Sequence, residues 1–315
     1  MDLKPFPGYE RHLSGYLRDA GPAEEGPRAA PPVFRDFPEG MRTEDRVIPG
    51  GDGQEMKIRL YIPKGLPERP PVVLDIHGGG FVAGDLDTDN YRCAAIAARV
   101  PAIVAGVEYR LSGKGVHFPA PLMDCHAAWQ WLCGHAEAIG ADSGRMGLHG
   151  SSAGGNLAAG LALYLRDHNE QPPALAVLNC ATYTPAIEET MSFQQLRQLR
   201  MGPDNKALNA EAAYLGGYDG TRPSYYAFPA LSPDLGDLCP HFIIAGEYDT
   251  LRDSALDYAG RLLRSAVPTE LFLAGRQGHC FTAVPHPFTD LTHDLIAAAF
   301  RREFGLLNHL SVQTG

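Results

Sequence analysis

A pentapeptide near the middle of the chain places one serine between two glycines. Gly150, Ser152 and Gly154 form the pattern G-x-S-x-G, which follows the apolar run Met146–Leu148 and precedes a long apolar stretch. A strand, a sharp turn and a helix in that order expose the serine as a nucleophile. Ser151 has no glycine two residues before or after it, so Ser152 is the candidate. Without this context the pentapeptide is equally typical of a Ser/Gly loop.

A second glycine-rich segment, His77–Gly80, follows the apolar run Val72–Ile76. Three consecutive glycines let backbone N–H groups turn toward one point with no side chain in the way. Acyl transfer needs such donors, because its tetrahedral intermediate carries negative charge on an oxygen. We expect the N–H groups of Gly79, Gly80 and Ala153 to form this oxyanion hole. An ordinary glycine-rich turn is the alternative. A phosphate-binding loop is not favoured, because no Lys-Ser/Thr follows the glycines and no G-x-G-x-x-G pattern is present.

An acid and a base follow the serine in the order that such a nucleophile requires. Asp249 comes after the apolar run Phe242–Ala245, and His279 lies on a loop after the next apolar run. Serine, acid and histidine follow one another in this order in G-x-S-x-G hydrolases. We expect His279 to take the proton of Ser152, and Asp249 to orient the imidazole.

Other acids and histidines are weaker candidates. Asp253 competes with the proposed acid but precedes a helical pattern and is typical of a helix N-cap, and Glu247 is weaker still. His286, His293 and His309 are interpreted as solvated histidines.

The sequence favours neither a metal site nor a cofactor. His117, His126 and His135 recur every nine residues, but no H-E-x-x-H motif accompanies them, so an ordinary amphipathic helix is expected. Cys280, beside the candidate base, is interpreted as a small buried hydrophobic residue.

The composition excludes several classes of function. The chain has 315 residues, with 27 Lys and Arg against 37 Asp and Glu, and a formal net charge of −10. A chain this acidic, without a Lys/Arg cluster, is a poor partner for nucleic acid. No signal-peptide run and no apolar stretch of about 18 residues occurs. The six cysteines are scattered, which favours a reduced, cytoplasmic protein without a membrane span.

Short apolar runs alternate with helical patterns from residue 72 onward, which predicts an α/β fold with a mainly parallel sheet between two helical layers. The polar alternation of Arg46–Ile48 and Met56–Ile62 predicts an antiparallel edge. The strands expected to be buried on both faces are Val72–Ile76, Ile103–Val107, Met146–Leu148, Ala174–Leu178, Phe242–Ala245 and Leu271–Leu273, and the helices are expected near 88–99, 120–138, 153–167, 254–266 and 289–303.

One internal segment and the N-terminal region depart from this alternation. Residues 184–230 have no strand signal but carry amphipathic helical pieces, such as the one with Phe193 and Leu196. An insertion at the carboxyl end of a strand lies where open α/β sheets bind ligands, so we expect helices over the site. A short helix over 8–19 and a Pro/Gly-rich linker over 21–32 are predicted before the sheet.

Together these motifs resemble the hormone-sensitive lipase-like family of α/β-hydrolase carboxylesterases. The resemblance lies in His77–Phe81, Glu108–Leu111, Phe118–Ala120, Gly150–Asn156, Asp249–Asp253, and Gly278 and His279 with Phe281. The chain departs from the family pattern at Ser151, where Asp or Thr is usual, and at residues 112–115, which replace a Pro-Glu pair.

This resemblance implies an α/β-hydrolase fold, the triad named above, and cleavage of short-to-medium acyl esters. Phe81, Tyr183 and Phe281 are candidate walls of the substrate pocket. Two alternatives stay open: a ligand-binding member like the plant hormone receptors, which lack the catalytic histidine that is present here, and a related lyase.

The resemblance also implies a division of the chain. Residues 1–45 would be an N-terminal cap segment and linker, 46–183 and 231–315 the catalytic core, and 184–230 a helical cap insertion. A homodimer formed through the edge of the last strand is a further expectation.

Overall fold

A computed structural model of the protein describes residues 37–200, 206–216 and 223–307. The helix predicted over 8–19 and the linker predicted over 21–32 lie outside these residues. The strands are β1 (Arg42–Pro49), β2 (Glu55–Ile62), β3 (Val72–Ile76), β4 (Ile103–Val107), β5 (Met146–Ser151), β6 (Ala176–Asn179), β7 (His241–Gly246) and β8 (Thr269–Ala274). They form one eight-stranded sheet in the order β1-β2-β4-β3-β5-β6-β7-β8.

The sheet is parallel except at one end. β1 and β2 pair antiparallel, as do β2 and β4, and every later neighbour pair is parallel. The five strands from β3 to β7 are buried along their whole length. Parallel strands end on the same edge of a sheet, so the loops after β3, β5, β7 and β8 meet there. The predicted sheet and its antiparallel end are confirmed.

Two helical layers cover the sheet. The helices of the described residues are α1 (Asn90–Arg99), α2 (Ala120–His135), α3 (Ala153–Asp167), α4 (Met191–Arg200), α5 (Lys206–Leu215), α6 (Arg252–Arg264) and α7 (Pro287–Glu303). Ile96 of α1 and Phe300 of α7 belong to the apolar cluster on one face. Trp129 of α2, Leu161 of α3 and Leu262 of α6 belong to the cluster on the other face. None of these helices is long and apolar enough to cross a bilayer.

The predicted ends of helices and strands agree best with the structure where the sequence has one clear pattern of apolar residues. β3, β4 and α3 have the bounds that the sequence predicts, whereas β1 begins at Arg42 rather than Arg46. α4 and α5 provide the helices expected within 184–230.

The predicted burial of the last strand is wrong. In β8, Leu271 is 43% exposed and Leu273 is 42% exposed. Within the described part of the chain, β8 is an edge strand that pairs with β7. A short apolar run looks the same for an edge strand and a central strand, because the sequence does not tell how many neighbours the strand has. The homodimer expected at this edge stays a prediction.

A buried histidine at the start of β7 couples the stability of the fold to pH. His241 is almost fully buried, and its Nδ1 atom donates a hydrogen bond to the carbonyl oxygen of Cys239 at 2.7 Å. Burial lowers the pKa of His241 from 6.5 to about 4. Between these values the unfolded chain binds a proton that the folded protein does not bind, so folding is disfavoured as the pH falls.

We expect His241→Asn to reduce the acid sensitivity of folding. The wild-type free energy of unfolding should fall as the pH drops from about 6.5 to about 4, with His241 contributing up to about 1.4 kcal/mol per pH unit. The Asn amide keeps a donor for Cys239 but does not titrate. Urea unfolding at several pH values measures the slope. His135→Asn, at an exposed site, should keep the wild-type slope; equal slopes for wild type and His241→Asn would contradict this assignment.

Candidate active site

One imidazole links a serine and a carboxylate at the carboxyl edge of the sheet. The Oγ of Ser152 donates a hydrogen bond to Nε2 of His279 at 2.9 Å. The Nδ1 of His279 donates to Oδ2 of Asp249 at 2.8 Å. Asp249 is buried, whereas the His279 side chain is 11% exposed and Ser152 is 8% exposed. The hydrogen bonds therefore run from a serine and an imidazole with small exposed fractions to an enclosed carboxylate.

Ser152 occupies a strained turn between β5 and α3. Its φ of 55° and ψ of −118° are unfavourable for a residue with a side chain, and such strain persists only where surrounding structure imposes it. The glycines on either side allow the close approach that imposes it. A Cβ on Gly150 would lie 2.3 Å from the carbonyl oxygen of Gly154, and a Cβ on Gly154 would lie 1.9 Å from that of Ile76.

The neighbouring serine does not join this arrangement. Ser151 is buried, and its Oγ lies 3.7 Å from the Sγ of Cys280. Ser151 thus contacts a thiol, while Ser152 contacts the imidazole, as the glycine spacing predicts.

Asp249 follows β7 and turns back onto its own loop. Its Oδ1 accepts the N–H of Leu251 at 2.9 Å, which leaves Oδ2 directed at the imidazole. Asp253 has a different position: α6 begins at Arg252, so Asp253 lies inside the first turn rather than at the N-cap. Its Oδ2 accepts the N–H of Ser192 in α4 at 2.7 Å. The N-cap interpretation of Asp253 is therefore wrong.

The loop after β8 carries His279 back toward β7. The N–H of Tyr248 donates to the carbonyl oxygen of Gln277 at 2.8 Å, and the Oε2 of Glu247 accepts the N–H of Arg276 at 2.7 Å. Glu247 thus holds the loop that precedes the histidine. These contacts keep the imidazole beside the loop that holds the carboxylate.

The glycine loop packs against the serine, since a Cβ on Gly78 would lie 3.3 Å from the Cβ of Ser152. Gly79 and Gly80 have φ values of 128° and 62°, and Gly79 is exposed. Among the described residues no acceptor pairs with the N–H of Gly79 or Gly80. Ala153 is the first residue of α3, where an N–H has no partner within the helix. The role of these three groups as oxyanion donors stays a prediction.

Two residues that the sequence analysis did not single out hold the glycine loop. The hydroxyl of Tyr109 donates to the carbonyl oxygen of His77 at 3.0 Å, and the two rings stack with centroids 4.3 Å apart. The N–H of Ser112 donates to the carbonyl oxygen of Phe81 at 2.7 Å. Tyr109 lies in the block Glu108–Leu111, which contributes to the family resemblance. That position was the available sequence signal, but the sequence analysis assigned Tyr109 no role.

The predicted pocket walls have different environments. Phe81 stacks on Tyr214 of α5, with centroids 3.9 Å apart and an interplanar angle of 5°. Tyr183 is fully buried and stacks on Tyr258 of α6 at 4.3 Å, so it belongs to the core and offers no surface to a ligand. This corrects the expectation for Tyr183. Phe281 is partly buried, and its pocket role stays a prediction.

Two thiols accompany the imidazole. The Sγ of Cys180, a carboxylate oxygen of Asp249 and a ring nitrogen of His279 lie within 4.8 Å of one another. Burial raises the pKa of the Cys180 thiol well above its ordinary value. For Cys280, burial acts to raise the pKa, but His279 and Arg92 outweigh it and lower the pKa. Cys280 is partly buried, and its interpretation as a small hydrophobic residue stays a prediction.

A second aspartate–histidine pair lies beneath the turn but is closed to solvent. Asp75 in β3 and His149 in β5 are paired across the sheet and joined by a hydrogen bond. The Sγ of Cys93 donates to the other carboxylate oxygen at 3.1 Å. Both side chains are buried, so the pair ties strands together rather than meeting a ligand.

Three further histidines, His286, His293 and His309, were expected to be solvated, and the structure contradicts this for His293. His293 in α7 is fully buried, and burial lowers its pKa well below 6.5, so its interpretation as a solvated residue is wrong. His286 is exposed and caps α7, because its Nδ1 accepts the N–H of Phe288. His309 lies outside the described residues.

Comparison with known proteins agrees with this architecture. Residues 73–283 match the family described as alpha/beta hydrolase fold. The chain is 35% identical over 258 residues to esterase LipI of Mycobacterium tuberculosis, covering 79% of each protein. It is 32% identical to an ethyl acetate hydrolase of Pseudomonas putida, covering 73% of this chain and 72% of that protein. The structure resembles a bacterial heroin esterase with a TM-score of 0.80 and 31% identity, covering 94% of this chain and 90% of the other.

Proposed function

The chain belongs to the alpha/beta hydrolase fold family, as a carboxylic ester hydrolase of the hormone-sensitive lipase-like type, and from this premise we propose that it works through an acyl-enzyme on Ser152. The observation that carries the proposal is the continuous hydrogen bonding from Ser152 through His279 to Asp249. A hydroxyl alone is a weak nucleophile, and an oriented base beside it supplies the activation.

In the first half-reaction the Oγ of Ser152 attacks the ester carbonyl carbon while Nε2 of His279 takes the hydroxyl proton. The imidazolium that forms is stabilised by the carboxylate of Asp249, which accepts the hydrogen bond from the Nδ1–H group throughout. The N–H groups of Gly79, Gly80 and Ala153 bind the oxyanion. Collapse of the tetrahedral intermediate breaks the C–O bond to the alcohol, which leaves with the proton from Nε2.

The second half-reaction repeats the sequence with water. His279 takes a proton from a water molecule that attacks the acyl carbon, and then returns a proton to the Oγ of Ser152. The acid leaves and the resting hydrogen bonds are restored. One imidazole serves both halves, because in each half it returns to its neutral state.

We propose short-to-medium acyl groups for the substrate. Phe81 directly follows the glycine loop and stacks on Tyr214 of α5, and the hydroxyl of Tyr109 donates to the first residue of that loop. We propose that this apolar packing beside the loop limits the length of the acyl chain that the site accepts. The similarity to an ethyl acetate hydrolase supports the short end of this range.

We propose that residues 184–230 form the cap of this site. α4 contacts α6 through Ser192, whose N–H donates to Asp253 and whose hydroxyl donates to the carbonyl oxygen of Thr250 at 2.9 Å. Thr250 directly follows the catalytic acid. α5 meets the glycine loop through Tyr214, so both helices of the cap touch segments that carry the site.

Ser152→Ala should lower kcat for a short-chain nitrophenyl ester by several orders of magnitude, because it removes the hydroxyl that donates to the imidazole. The matched control is Ser151→Ala, which removes the neighbouring hydroxyl and should keep kcat within about tenfold. Steady-state hydrolysis of nitrophenyl acetate measures both. Full activity of Ser152→Ala would refute the proposed nucleophile.

Asp249→Asn should lower kcat by about 10⁴-fold, because the amide keeps the shape but no longer selects the tautomer with a proton on Nδ1. Asp253→Asn, on the next turn of the same segment, should stay within about tenfold of the wild type. The same ester assay compares the two. A larger loss for Asp253→Asn than for Asp249→Asn would reassign the acid.

A further inference from the structure

Three possible metal-ligand atoms of different chemical types, one of them on the catalytic imidazole, lie close together. They are the Sγ of Cys180, a carboxylate oxygen of Asp249 and a ring nitrogen of His279, all within 4.8 Å of one another. Thiolate, imidazole and carboxylate are the three kinds of side chain that bind Zn²⁺ in proteins. Cys180 has no part in the ester chemistry described above, so its thiol lacks a function there.

The three ligand atoms lie within 4.8 Å of one another, so small side-chain movements would bring them to the separations that a tetrahedral metal ion requires. Bond lengths of about 2.0 Å to nitrogen and oxygen and about 2.3 Å to sulfur place neighbouring ligand atoms roughly 3.3–3.6 Å apart. His279 and Asp249 are now 2.8 Å apart at Nδ1 and Oδ2 and would separate slightly. Nε2 faces Ser152, so Nδ1 is the nitrogen available to an ion between the imidazole and the carboxylate.

The charges balance when an ion binds. The carboxylate of Asp249 and a thiolate at Cys180 together carry two negative charges, which neutralise a divalent cation in a buried site. The raised pKa of Cys180 means that the thiol keeps its proton until the metal displaces it into solvent. Arg92 is a nearby cation that acts on Cys280, but it is paired with Asp89, which offsets its repulsion.

We propose that Cys180, Asp249 and His279 form an inhibitory site for a thiophilic divalent cation such as Zn²⁺ or Cd²⁺. The inhibition rests on the proposed function of Ser152, whereas the binding does not. A metal ion can bind Nδ1 only in the tautomer that carries the proton on Nε2, because only then does Nδ1 have a free lone pair. The proton therefore moves from Nδ1 to Nε2, and Nε2 loses the lone pair that accepts the proton of Ser152. Mg²⁺ and Ca²⁺ prefer oxygen ligands and do not fit this set.

Cd²⁺ is the probe for this site, because its bond to a thiolate gives an ultraviolet charge-transfer band. The wild type should develop the band and lose esterase activity together on titration, with recovery on adding a chelator and no effect of Mg²⁺ or Ca²⁺. Cys180→Ser should lose the band and require at least tenfold more Cd²⁺ for half inhibition, relative to its own uninhibited rate. Equal inhibition of wild type and Cys180→Ser would overturn the proposal.

A distant thiol provides the matched control. Cys133 lies in α2, with its Sγ 3.7 Å from the Sδ of Met146 at the opposite end of β5 from Ser152. Cys133→Ser should titrate like the wild type. If it instead loses the band while Cys180→Ser keeps it, the Cys180 site is refuted.

The Ser152→Ala protein separates the metal site from the proposed function. It should still bind Cd²⁺ with the same band, since the hydroxyl is not a ligand. X-ray absorption of this variant with Zn²⁺ should give one sulfur ligand at about 2.3 Å, and a shell of nitrogen and oxygen alone would overturn the proposal even if Cys180→Ser does not fold. Activity remaining in Ser152→Ala would instead refute the nucleophile.

Discussion

The two hydrogen bonds of His279 are the constraint on which the rest of the structure depends. A hydrogen bond is effective only within a narrow range of distance and angle, and here Nε2 accepts one from Ser152 at 2.9 Å while Nδ1 donates one to Asp249 at 2.8 Å. Their partners are 127 and 30 residues away along the chain. The parallel sheet, whose strands end on one edge, brings the loops after β5, β7 and β8 together here.

The strained backbone at Ser152 is held by close packing around it. Gly154 of α3 lies against the carbonyl oxygen of Ile76, so the helix after the serine packs directly on the end of β3. The glycine loop begins at that same end and is held in turn by Tyr109. The close packing of Gly154 on the end of β3 therefore positions both the nucleophile and the expected oxyanion donors. Stabilisation of the developing charge requires donors that are positioned in advance in this way.

Much of this arrangement could be predicted from the sequence, for identifiable physical reasons. Local patterns encode the turn at Ser152 and the glycine loop after β3, and chain order supplies the candidates Asp249 and His279. Properties that depend on distant neighbours could not be predicted. The exposure of Leu271 follows from the edge position of β8, and the burial of His293 follows from how α7 packs. Cys180 reaches the imidazole through pairing of β6 with β7, and no spacing along the chain signals that contact. Tyr183 has the aromatic character of a pocket residue but packs against α6.

The most direct test of the account is covalent labelling by a serine-reactive phosphonate, located by peptide mass spectrometry. A phosphonate reacts with a hydroxyl only where a base removes the proton and donors stabilise the developing charge. The account predicts a single adduct on Ser152, none on Ser151, and labelling slowed by several orders of magnitude in His279→Gln. An adduct on another residue, or rapid labelling of Ser152 without the imidazole, would contradict it.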